Sequence, residues 1–237
     1  MSITDDIPVD TRISAALHPG VVTKIDGYGD DTKDTLADTM TAFSVAYEGV
    51  RAVWDARGKV EMDTSKTADA RLLQLDTFAK KKLDAITRRF DATRDRLVKG
   101  IGFLEGELAQ PLTEKAASAM GAEIRAHVKA LTTAERGAFI ERAMSDGDEE
   151  TVAALLGAKP YLSGMTPEMQ VAHTRHWNTL RQPEKAKRLH VLQQAKAMIE
   201  RDAGKVFKAM EDAVGGTSTK ARMVREAQMA ADKATSA

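Results

Sequence analysis

The 237-residue chain contains no cysteine. A disulfide scaffold, a thiol nucleophile and a Cys-ligated zinc or iron–sulfur centre are thereby excluded. Aromatic residues are scarce, at 5%. Few segments gather β-branched and aromatic side chains together, so little favours strands. No run of 18 apolar residues occurs, and no membrane-spanning helix is expected. Met1 to Asp10 holds three Asp and no Lys or Arg, unlike a signal or transit peptide. Net charge is lacking too, with 35 Lys and Arg against 35 Asp and Glu. No global field therefore steers the chain toward nucleic acid or anionic lipid.

What is present is Ala, Leu, Met, Lys, Arg, Glu and Asp, mostly helix formers. Hydrophobic residues make up 43%, enough to bury a core, so wholesale disorder is not expected. The expected fold class is all-α, in one or two domains.

Residues 1–30 stand apart. Pro8, Pro19, Gly20, Gly27 and Gly29 punctuate them, and Ile3, Ile7, Val9, Ile13, Val21, Val22 and Ile25 follow no helical period. They read as an extended arm with one short helix near Arg12–Leu17, either frayed or docked on a neighbouring subunit. A first helix begins after Asp30 or Asp31. Leu36, Met40, Phe43, Tyr47, Val50 and Trp54 recur every three or four residues, forming one apolar face. Gly58 reads as its stop.

The second helix carries the most regular stripe: Leu72, Leu75, Ala79, Leu83, Ile86, Phe90, Thr93, Leu97, Ile101, Leu104 and Leu108. Its mean spacing is about 3.6 residues, the period of a straight helix. Unbroken, it would span about 55 Å, long against the radius of gyration of roughly 18 Å expected for a compact chain of this size. Such a narrow stripe needs cover from the first helix or from another chain. Leu72, Leu75, Leu83, Ile86, Phe90 and Leu97 are accordingly the candidate self-association residues. Gly100, Gly102 and Gly106 suggest a kink or break, with Pro111 ending the element.

Shorter helices follow. Leu112, Ala116, Met120, Ile124, Val128 and Leu131 form one face. Thr132 and Glu135 make a capping box ahead of Phe139, Ile140 and Met144. Asp146 or Asp148 caps a short helix with Val152, Leu155 and Leu156 inward, closed by Gly157. Thr166-Pro167-Glu168 is a strong helix start. Pro183 opens another helix, with Leu189, Leu192, Ala195, Ile199, Ala203, Val206 and Met210 on one face and Gly215-Gly216 at its end. The segment after it has little large apolar surface and is marginal alone. The expected organisation is an arm (1–30), a long antiparallel helical hairpin (31–110), a compact helical domain (111–216) and a helical tail (217–237).

Motifs for chemistry are sparse. His173 and His176 lie three apart on one helix face, a spacing that can serve a metal, but no third ligand is local. The run from Asp146 to Glu150 fails the calcium-loop pattern, since the twelfth position is Gly157. Helix capping accounts for those acids. Gly100, Gly102 and Gly106 do not form a dinucleotide fingerprint, lacking a preceding strand. No catalytic residue, metal site or cofactor is therefore assigned, and no enzyme activity is expected.

Charge is uneven along the chain: residues 1–60 are net −4 and residues 166–237 net +5. Arg181, Lys185, Lys187, Arg188, Lys220, Arg222 and Arg225 are candidate contacts for a partner or a phosphate backbone. The acidic first part and basic last part also suit head-to-tail association between copies.

The stretch Ala122-Glu123-Ile124-Arg125-Ala126-His127-Val128-Lys129 resembles uncharacterised helical proteins encoded in tailed phages and prophages. So does Glu149 to Met169, with Ala153-Ala154-Leu155-Leu156-Gly157-Ala158 and Tyr161-Leu162-Ser163-Gly164-Met165-Thr166-Pro167-Glu168-Met169. The resemblance covers roughly residues 115–190. It implies a scaffolding, capsid-associated or internal virion protein, found in the host cytoplasm during assembly or in the virion. Its partners would be itself and other virion proteins. The alternative expectation is a nucleic-acid-associated protein that uses the basic last third and is packaged or delivered with DNA.

Overall fold

A computed structural model describes residues 7–216 and 218–235. The first six residues of the expected arm, and positions 217, 236 and 237 of the expected tail, lie outside the described residues. The fold is all-α, as the composition predicts. Its α-helices are α1 (Lys33–Glu61), α2 (Ala68–Ala116), α3 (Ala119–Ala130), α4 (Thr133–Ser145), α5 (Glu149–Leu156), α6 (Pro167–Arg181), α7 (Pro183–Val214) and α8 (Ser218–Thr235). Three 3₁₀ turns lie at Ala15–Leu17, Pro19–Lys24 and Pro160–Leu162.

The chain divides into two compact units, 1–98 with 191–237, and 99–190. This differs from the expected hairpin (31–110) and C-terminal domain (111–216). The 110/111 boundary falls inside α2, and residues 191–214 of α7 belong with the hairpin.

In the first unit, α1, α2 and α7 share one core. Phe43 of α1 packs on Phe90 of α2, ring centroids 5.4 Å apart. Gly49 of α1 sits where Ile86 of α2 and Met210 of α7 converge. Polar contacts repeat the pattern: Arg89 and Arg96 of α2 both bind Asp38 of α1, and Arg94 meets Glu200 of α7 at 3.1 Å. The expected face of α1 is buried from Leu36 to Val50, with Trp54 half-buried.

The described part of the expected arm, residues 7–30, is not an extended arm. Its two 3₁₀ turns fold back on α1 of the same chain, burying Ile13, Leu17, Val22 and Ile25. His18 meets the Tyr47 ring edge-on at 5.0 Å. The Tyr47 hydroxyl accepts from the Asp10 amide and donates to Pro8 O. A single buried tyrosine thus fixes the segment, because its ring supplies apolar area while its hydroxyl satisfies backbone.

Two helix stops fall elsewhere. α1 runs through Gly58 to Glu61. α2 continues through Gly100, Gly102, Gly106 and Pro111 to Ala116. An interior proline removes one backbone donor, but Leu108, Leu112 and Ala116 on the same face are all buried, and that burial offsets the loss. Leu112 and Ala116 therefore belong to α2, and a new helix starts at Ala119, capped by Ser118. Met120, expected inward, is exposed.

The second unit has its own core of Leu112, Val128, Ile140, Met144, Val152, Leu155, Met165 and Trp177. Its caps follow the sequence. Thr132 and Glu135 form the reciprocal capping box, Asp148 caps α5, and Thr166 caps α6. Arg136 is buried without a carboxylate partner among the described residues. Its guanidinium donates instead to the carbonyls of Val128, Leu131 and Gly164. It thereby satisfies carbonyls at the end of α3, where a cation is favoured by the helix dipole.

Candidate functional site

A groove of about 980 Å³ runs along α1 in the first unit. Lys33, Asp34, Ala37, Met40, Thr41, Ser44, Val45 and Glu48 recur at helical spacing and form its floor. Ile7, Tyr28, Gly29 and Asp30 form the facing wall. The sixteen residues of α1 from Lys33 to Glu48 make a trough about 22 Å long. The floor hydroxyls are already satisfied within the helix, Thr41 donating to Ala37 O at 2.9 Å and Ser44 to Met40 O at 3.1 Å. Covering them would orphan no donor, and what they offer a neighbour is small and shallow.

The groove is acidic. Asp30, Asp34 and Glu48 stand against Lys33 alone. Lys33 pairs with Asp30 at 3.0 Å, whereas Asp34 and Glu48 make no ion pair among the described residues.

The second surface of this unit is α8. Ala221 is buried, and Arg225 binds Asp76 of α2 at 2.6 Å. Asp76 also holds Lys80 at 2.9 Å. These contacts clamp the first two turns. From Glu226 to Thr235 every residue is exposed. Met223, Ala227, Ala230 and Ala234 fall on one stripe of that helix, and all four are exposed. Arg222 and Lys233 lie beside the stripe, and α8 as a whole is net +2.

The six candidate self-association residues lie in a different setting. Leu75, Ile86, Phe90 and Leu97 are buried within the single chain, and Leu72 and Leu83 are half-buried. The first unit's own helices cover the four buried ones, while Leu72 and Leu83 stay partly open among the described residues.

Of the basic candidates, four are paired with acids. Arg181 binds Glu149 and lies over the Trp177 ring at 5.3 Å. Lys185 meets Glu107 at 3.3 Å, Arg222 meets Glu226 at 3.7 Å, and Arg225 meets Asp76. Arg188 has no acid partner among the described residues; Lys187 and Lys220 carry interactions of their own. The set is also divided, Arg181 to Arg188 in the second unit and Lys220 to Arg225 in the first.

In the second unit, Lys115, Glu149, Trp177, Leu180 and Arg181 line a cleft of about 300 Å³ beside Pro111. Glu149 bridges Lys115, at 2.6 Å, and Arg181. The hydrogen bonds from Lys115 and Arg181 hold its carboxyl below the usual carboxylate range. The histidine pair has a neighbour that spacing did not reveal. Glu141 of α4 lies 3.2 Å from His173 Nδ1 and 3.8 Å from His176 Nδ1. Among the described residues no set of three His, Cys, Asp or Glu is placed to hold a metal ion, and no helix is long and apolar enough to cross a membrane.

Comparison with family models, curated proteins and solved structures finds no match to this chain.

Proposed function

We propose that this chain is a non-enzymatic structural or assembly protein of a phage particle, acting through self-association and docking to other virion proteins. The observation that carries the reading is α8, a helix clamped at one end whose Met–Ala stripe has no cover among the described residues. Helices that display an apolar stripe are read by grooves on partners. The particle setting is taken from the resemblance drawn from the sequence of residues 115–190, and the comparisons add nothing to it.

Quantitative mass spectrometry of purified particles and assembly intermediates tests this. A fixed number of copies per particle, or per intermediate, is expected. Recovery only in the soluble fraction, in no fixed ratio to capsid protein, overturns it. Association with DNA is the competing outcome, and the ion pairs on Arg181, Lys185, Arg222 and Arg225 weigh against it, since a paired cation neutralises fewer phosphates. Retention of duplex DNA that falls steeply from low to moderate salt would establish that alternative.

A further inference from the structure

We infer that the groove along α1 is a binding site for a linear polyamine, a flexible aliphatic chain with ammonium groups at and between its ends. The inference stands apart from the particle reading. It rests on what the lining can offer a ligand.

The floor offers acceptors. Thr41 and Ser44 spend their hydroxyl protons on Ala37 O and Met40 O of their own helix, so only oxygen lone pairs are left for a ligand. Asp34 and Glu48 make no ion pair among the described residues, and an ionised carboxylate accepts but cannot donate. The one cation of the floor, Lys33, is taken by Asp30 at 3.0 Å. A ligand matched to such a floor brings donors and no acceptors, which is the inventory of an ammonium group. Phosphates, carboxylates and sugars would set lone pairs against lone pairs.

Spacing gives the ligand its length. Asp34, Thr41 and Glu48 follow one another at intervals of seven residues, so they fall on one line along α1. The two carboxylate positions stand about 21 Å apart along the helix axis, with only the uncharged Ala37, Thr41, Ser44 and Val45 on the floor between them. A compact cation reaches one end. A long polyamine reaches toward both and lays its methylenes over Ala37 and Val45. The facing wall supplies Ile7 and Tyr28, an apolar side chain and an aromatic ring of the kind that methylene stems and ammonium groups pack against. The volume of about 980 Å³ lies at the upper end of the roughly 300–1,000 Å³ of small-molecule sites.

The test uses the full chain, labelled with ¹⁵N and titrated at low salt with spermine, spermidine, diaminobutane and magnesium chloride. Spermine should saturate at one molecule per chain and move the amide signals of Tyr28, Gly29 and the α1 residues from Lys33 to Glu48. Diaminobutane, too short to engage both ends, should bind at least about fivefold more weakly, and added salt should weaken every amine. Asp34→Asn and Glu48→Gln should each weaken spermine by about two- to fivefold and reduce its advantage over diaminobutane. Asp84→Asn, the same loss of charge at an exposed position of α2 outside the groove, should leave spermine binding unchanged. All three positions are exposed, and far-UV circular dichroism verifies the fold; the length series on the unaltered chain needs no variant.

Absence of a saturable shift along α1 overturns the site. Equal binding of spermine and magnesium overturns it too, because a merely negative surface would not tell them apart, and so does an equal loss in Asp84→Asn. A lysine-rich peptide that saturates the groove where spermine does not would assign it to a protein partner and remove the polyamine. Recovery of the chain in particles, or its absence from them, bears on none of these outcomes.

Discussion

Gly157 at the end of α5 lies so close to the Leu112 carbonyl of α2 that a Cβ there would overlap that oxygen and come within 2.9 Å of the Ala116 Cβ. The backbone at Gly157 has φ −81°, so any residue could adopt the conformation; the space alone demands glycine. Gly157→Ala should destabilise the second unit by about 1–3 kcal/mol, the usual cost of overpacking. Gly102 and Gly106 of α2 have open space where a Cβ would go. Alanine at either should stabilise by up to about 1 kcal/mol. Opposite shifts in thermal midpoint are the check.

Phe90 is buried against Phe43 within one chain. Phe90→Ala should cost about 3–5 kcal/mol. Arg89 is a poor neighbour for comparison because it binds Asp38 at 2.9 Å. Arg88 is exposed, and Arg88→Ala should cost under about 0.5 kcal/mol. The Phe90→Ala loss should not change with protein concentration, since its partner is intramolecular. A loss that shrinks as concentration rises would place Phe90 between copies.

Asp202 of α7 has a fully buried side chain. Burial pushes its carboxyl up, but Arg201 at 2.7 Å and Lys205 at 2.6 Å outweigh this and hold it below the usual carboxylate range. A carboxyl lowered on folding binds its proton less readily folded than unfolded. Its contribution is therefore full above about pH 4, the unfolded value, and is lost as pH falls through the lower folded value. Asp202→Asn should lower stability at neutral pH and flatten the acid limb of the stability profile. An unchanged acid limb would show that other carboxylates set it.

The second unit holds a contiguous core and its own caps. A fragment spanning 99–190 should fold cooperatively with helical circular dichroism. A fragment spanning 111–216 should fold less well, because it lacks residues 99–110, including buried Leu108, and carries the stretch 191–214 whose buried face belongs to the first unit. Urea melts of the two fragments compare them directly.

Periodicity made the helices legible, and capping chemistry marked Thr132, Asp148, Thr166 and Pro183 as starts. Pairing was harder to read. The face of α7 from Leu192 to Met210 is apolar whichever helix it meets, and nothing local says that it joins α1 and α2. Glycine and proline misled for a related reason. Gly58 and Pro111 weaken a helix by a local amount, while buried neighbours on the same face oppose them through contacts that sequence spacing does not display. Glu141 came to His173 and His176 across 32 and 35 positions, beyond any spacing rule. The groove was hidden because its wall is the N-terminal segment folded back by Tyr47, whose buried hydroxyl gives no sequence signal.

The clamp at Asp76 leaves the last ten described residues of α8 without tertiary support. An isolated helix of that length is marginal in water. Seating it on any surface would supply the missing contacts and shift its helix–coil balance toward helix. The ordering cost is met at that moment, which lowers affinity and keeps the joint reversible. A joint made there would form and part readily, and each seating should register as a small rise in helical ellipticity.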